Sequence, residues 1–208
     1  MTPLPTIARE ATTPGARPSG ADDPFGAFLP GPRTLLEPNG PGILSGLRFA
    51  VQDMIDVAGA VTGAGNPGWA AAQRPAMQSA SAVDACLSAG AALVGKTVTD
   101  ELGFSLEGSN PHYGAPINPR DPDALTGGSA SGAAAAVAGG LADFALTVDS
   151  CGSARIPAAM CGLWAMRPSS GRVSADGILP LAPSFNAASW MARDPETLRI
   201  VGAALLGE

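Results

Sequence analysis

Residues 126–167 read TGGSASGAAAAVAGGLADFALTVDSCGSARIPAAMCGLWAMR, and this stretch decides the architecture. Its opening, GGSASG, runs into an Ala-rich segment whose small side chains specify a tightly packed helix over residues 131–139. The apolar run at residues 144–148 reads as a buried strand. DSCGSARIPA then sets a second serine beside a second glycine at the start of another helix, from about Ala154. Two serine-bearing turns thus lie 24 residues apart, at Ser129 and Ser153. Glycine turns let a backbone approach a ligand closely, and the first amides of a helix present unpaired N–H groups to an anion. Such donors suit a carbonyl oxygen turning into an oxyanion.

Outward from this stretch the same rhythm repeats. LRFAV (residues 47–51) is a short strand that ends at Gln52 and Asp53, residues 78–91 carry apolar positions at helical spacing, and residues 92–94 form a second strand. Asp194 followed by Pro195 is an N-cap with proline in the first turn, so a last helix runs to about Leu206. Strands alternating with helices predict an α/β fold with a largely parallel or mixed central sheet and functional loops at strand ends. Toward the N-terminus, residues 1–24 are broken by five prolines and read as an arm. DPFGAFLPG (residues 23–31) carries two aromatics for docking on the body, and residues 38–46 are a Pro/Gly loop. The division expected is a lead-in over residues 1–45 and one domain over residues 46–208.

Composition narrows the function classes. The 208 residues are 46% apolar with a net charge of −6, which argues against a basic face for nucleic acid or anionic lipid. Three unevenly spaced cysteines make no disulfide framework, no run is apolar enough for a membrane span, and the first residues lack a signal peptide's pattern. A cytoplasmic protein is expected. No Cys/His cluster has metal spacing and no phosphate-loop lysine follows a glycine run, so neither a metal nor a cofactor is expected.

The two serine turns resemble the amidase signature family of amide hydrolases, whose usual forms are GGSSGGS and GTDTGGSIRIPA. The resemblance extends through GLRFAVQDMIDVAG, VGKTVTDELGFS, HYGAPINP, GRVSADGILPLAPSFN and MARD, from about residue 46 to 194. It implies the core of that family's fold, an open twisted mixed β-sheet flanked by helices, with the C-terminal half absent. It also implies a chemistry. Ser153 falls on the nucleophile position and Ser129 on the relay serine, held on an unusual cis peptide. The backbone N–H groups of Ser150, Cys151, Gly152 and Ser153 fall on the oxyanion donors. The substrate implied is a small carboxamide, with a homo-oligomer or a partner chain to supply the missing half.

Four positions depart from the family pattern, the first being Ala130, where the family has a serine after the relay serine. Where the family has VKDNIDVAG this chain has VQDMIDVAG, so Gln52 stands at the lysine that accepts the proton, and an amide is not basic. Cys151 replaces a glycine, which puts a Cβ where the backbone can require glycine, and Asn186 replaces an aspartate. Lys96 and His112, the sole lysine and histidine, read as a structural residue and a loop or cleft-lining residue. Cys151 reads as a small residue tolerated in its turn, the alternative being a replacement nucleophile. Asp149 and Arg155 are spaced to brace that turn as an ion pair, and Trp69, Trp164 and Trp190 to form core or cleft walls. Two functions follow: an amide hydrolase of very low turnover, or a catalytically lapsed homologue that binds a ligand or partner. A tRNA-dependent amidotransferase subunit ranks below both for want of a basic face.

Overall fold

The computed structural model describes residues 22–207, so most of the expected N-terminal arm lies outside the described residues. A five-stranded sheet in the order β2-β1-β3-β5-β4 forms the centre. β1 (Arg48–Gln52) runs parallel to both β2 (Ala92–Thr97) and β3 (Phe144–Asp149). β5 (Ala187–Ala192) is antiparallel to β3, and β4 (Trp164–Met166) is antiparallel to β5. The sheet is therefore mixed, with its parallel half at the sequence-predicted strands.

Alternation along the strands sorts two cores. Phe49, Val51, Phe144, Leu146, Val148 and Trp190 share one apolar cluster, where Phe49 and Phe144 stack with ring centroids 5.3 Å apart. Ala50, Ala145 and Met191 point to the other face, among the alanines of α3 (Ser131–Ala138). Only side chains of alanine size let a helix lie this close to a sheet. Ala133, Ala134, Ala135 and Ala136 are fully buried, and a methyl on Gly132 would lie 2.7 Å from both the N and the O of Val98.

The remaining helices are set by their ends. α1 (Pro67–Ala72) starts at Asn66, whose side chain accepts the Trp69 N–H. α2 (Ser81–Ser88) is shorter than the predicted 78–91, because Ala80 is extended and Gly90 takes φ +99°. α4 (Arg155–Met160) follows the second serine turn. α5 (Pro195–Leu206) is capped by the Asp194 side chain and ends at Gly207 in the left-handed region.

The aromatic lead-in docks as expected. Phe28 is buried and bridges Thr97, Leu36 bridges Leu93, and the Arg33 guanidinium lies 3.8 Å from the Phe28 ring centroid. This segment covers the outer edge of β2.

Candidate active site

Parity along the strands delivers the first member. Gln52 lies two residues beyond Ala50 and so on the α3 face, at the C-terminal end of a parallel strand. There the backbone turns away: the Gln52 carbonyl accepts the N–H groups of Met54 and Ile55. The Val148 N–H of β3 is instead taken by the side-chain Oε1 of Gln52, at 2.8 Å. That bond fixes which way the amide faces, since a backbone N–H needs an acceptor. Nε2 is thereby aimed at two hydroxyls, Thr99 Oγ1 at 2.8 Å and Ser129 Oγ at 3.1 Å.

Ser129 sits in the turn before α3, and the Gly128–Ser129 peptide is cis. Its turn is bonded from several directions. The Thr99 hydroxyl donates to the Ser129 carbonyl at 2.9 Å, and the Asp100 N–H donates to the same oxygen at 3.0 Å. Asp100 Oδ2 accepts the Gly108 N–H at 3.0 Å and lies against Gly128, where a Cβ has no room. Burial pushes the Asp100 carboxyl up to about 6, against the downward pull of the Gly108 N–H. Asp100 Oδ1 and Thr126 Oγ1 are buried without a hydrogen-bond partner among the described residues. Neither Thr99 nor Asp100 stood out in the sequence beyond their place in VGKTVTDELGFS.

The second turn is built on Asp149, the last residue of β3. Its Oδ1 accepts the Gly152 N–H at 2.8 Å, and its Oδ2 accepts those of Ala154 and Arg155 at 3.2 and 3.3 Å. The Arg155 guanidinium closes the loop with two bonds of 2.9 Å, so the predicted ion pair is present. Burial alone would push the Asp149 carboxyl up; the Arg155 and backbone donors together hold it below the usual range. Gly152 thus gives its N–H to Asp149, whereas the N–H groups of Ser150, Cys151 and Ser153, the other three expected donors, make no hydrogen bond to that carboxylate.

Ser153 is buried, and its carbonyl accepts the Ala130 N–H at 3.1 Å, which ties the two serine turns together. Among the described residues no hydrogen bond joins the Ser129 and Ser153 hydroxyls directly. Cys151 is exposed and is not among the residues with positive φ, so its Cβ meets no backbone demand for glycine; the left-handed position of this turn is Gly152, at φ +115°. The Ser150 hydroxyl donates to Asn186 Oδ1 at 2.6 Å, which also accepts the Ala182 N–H.

Lys96 is remote from this chemistry. It pairs across the sheet with Val51, on the face opposite Gln52, and its Nζ lies 3.1 Å from Asp53 Oδ1 in a buried ion pair. Desolvation lowers the lysine and raises the aspartate within that pair. His112 Nε2 contacts Glu101 Oε1 at 2.9 Å on a loop. Of the tryptophans only Trp190 is core; Trp69 and Trp164 are 39% and 54% exposed. The arrangement can orient a hydroxyl and hold backbone donors near it, but neither the sole lysine nor the sole histidine contacts Ser129 or Ser153.

The family model described as Amidase matches residues 34–208. The chain belongs to the amidase family. Amidase 1 of Oryza sativa subsp. japonica is 45% identical over 196 residues, covering 92% of this chain and 44% of that protein. The translocon at the outer membrane of chloroplasts 64 of Pisum sativum is 46% identical over 188 residues, covering 88% of this chain and 32% of that protein. A solved amidase crystal structure superposes with a TM-score of 0.72 at 37% identity, covering 80% of this chain and 38% of that one. This amidase chain thus spans less than half the length of these relatives. Among its described residues no helix is long and apolar enough to cross a membrane.

Proposed function

We propose that the chain belongs to an amide hydrolase of the amidase signature type, acting on a small carboxamide through an acyl-enzyme on Ser153, with very low turnover in this form. In that reaction the Ser153 oxygen attacks the carbonyl carbon while its proton passes to Ser129, and with the Gln52 amide beyond it the proton goes no further than the leaving amine. The leaving amine takes a proton back, and water then cleaves the ester. Backbone N–H groups of Ser150, Cys151 and Ser153 stabilise the oxyanion, and no cofactor takes part. Free cysteines and an acidic chain accord with a cytoplasmic setting.

One observation carries the reading of low turnover: Gln52 Nε2 donates to Ser129 Oγ. A base would accept the Ser129 proton, so the hydrogen-bond chain runs Val148 to Gln52 to Ser129 and is polarised against the relay. The test is release of amine from a small aryl amide by the chain and by Ser153→Ala. Release near the buffer rate from both fits the reading; a Ser153-dependent rate hundreds of times above buffer would refute it. A lapsed homologue that binds a ligand or partner is the second reading. It is favoured by the complete pairing of the Gln52 amide, which makes this residue a finished structural part.

A further inference from the structure

Away from the serine turns, the lead-in carries a chemically distinctive pair, Asn39 followed by Gly40. The chain has five asparagines, and their neighbours separate them. Asn66, Asn110 and Asn118 each precede a proline, which has no N–H with which to attack the side-chain amide. Asn186 precedes Ala187 and is buried at the entry to β5. Asn39 alone is exposed and precedes a glycine, whose missing Cβ leaves the following nitrogen unobstructed. The Gly40 N–H makes no hydrogen bond to another described residue, so no bond has to break before that nitrogen reacts.

Asn39 also joins the lead-in to the C-terminal end of α2. Its N–H donates to the Leu87 carbonyl at 3.0 Å, and its Nδ2 donates to Ser88 Oγ at 3.3 Å. Further along, the Leu44 N–H donates to the Ala89 carbonyl at 2.8 Å. Between these two anchors Gly42 lies so close to the Ala89 backbone that a Cβ has no room. The length of chain between the anchors is therefore fixed. A carboxylate in place of the Asn39 amide removes the donor to Ser88 and sets a negative charge beside the carbonyl end of a helix, where the macrodipole disfavours it.

We propose that Asn39 and Gly40 form a site of spontaneous modification, at which Asn39 passes through a cyclic succinimide to aspartate and isoaspartate, and that isoaspartate releases residues 39–44 from α2. The Gly40 nitrogen gives its proton to water and bonds to Asn39 Cγ. That carbon expels Nδ2, which takes a proton from water and leaves as ammonia. Water then opens the ring: attack at Cγ gives aspartate, and attack at the main-chain carbonyl gives isoaspartate. In isoaspartate the main chain runs through Cβ and Cγ, so it is longer by a methylene between the two anchors. The site does not depend on the hydrolase reading. Incubation of the whole chain at mildly alkaline pH, with mass mapping of the tryptic peptide 34–48, tests it, and an isoaspartyl methyltransferase with S-adenosylmethionine separates the two products. Asn39 is expected to convert at least about tenfold faster than each of the other asparagines, with methyl uptake in the same peptide. A Cβ at Gly40 meets nothing within 4 Å, so Gly40→Ala keeps the fold and is expected to slow the conversion at least about tenfold. The Leu44 amide is expected to exchange its hydrogen at least about tenfold faster in the methyl-accepting chain than in fresh chain. Conversion of Asn39 no faster than that of Asn186, an unchanged rate in Gly40→Ala, absence of methyl uptake, or unchanged exchange at Leu44 would overturn the proposal.

Discussion

Asp100 shows how much a buried charge can cost beside a site it does not enter. Its folded pKa of about 6 lies above the ordinary aspartate value of 3.8, so the folded state binds a proton more tightly than the unfolded chain. Stability therefore falls as pH rises from about 4 to about 6 and stays lower above that range. Asp100→Asn keeps an acceptor for the Gly108 N–H and removes the charge from a fully buried position. It is expected to stabilise the chain by on the order of 2–3 kcal/mol at pH 7 and by nothing near pH 4, read from urea unfolding at both pH values. Asp149 has the opposite sign. Its carboxylate satisfies three backbone N–H groups of the Ser153 turn, so Asp149→Ala is expected to cost about 2–4 kcal/mol in the same assay. Because its pKa is depressed, that contribution is present above the unfolded value and is lost as pH falls through the folded one.

Among the elements, α3 is the one that admits no enlargement. A methyl on Gly132 meets the Ala27 carbonyl as well as the Val98 backbone, and backbone cannot move aside as a flexible side chain does. Gly132→Ala is therefore expected to lower stability by about 1–3 kcal/mol, although alanine is the better helix former. Circular dichroism melting of this variant checks that packing outweighs propensity here. The same helix explains what was legible in advance. GGSASGAAAAVAGG advertises its small residues, and LRFAV and FALTV alternate with helices as an α/β chain should, so the parallel half of the sheet could be read directly. β5 and β4 could not: AASWMA is buried on both faces and shows no alternation, and WAM is three residues long. At the site, the serines and Gln52 were visible because they sit in sequence motifs. The contribution of Thr99 and Asp100 was not, because it depends on one loop folding across another, some 30 residues on.

At the scale of the whole molecule the two sheet edges differ. The lead-in covers β2, whereas β4 has β5 on one side only and exposes Trp164 and Met166. An apolar edge of this kind favours pairing with another chain. Sedimentation velocity is expected to show concentration-dependent association that Met166→Lys weakens; identical profiles would remove that expectation. We propose that in this amidase fold the proton path from Ser153 ends in an amide instead of a base. Gln52→Lys places an amine in a fully buried site, on the face opposite Asp53 and Lys96, where desolvation favours its neutral, proton-accepting form. The decisive measurement is labelling of the chain and of Gln52→Lys, side by side, with a serine-reactive fluorophosphonate followed by peptide mapping. Label is expected on Ser153 in Gln52→Lys and none above background in the unaltered chain. Equal labelling of Ser153 in both would contradict it, because another group would then be activating the serine.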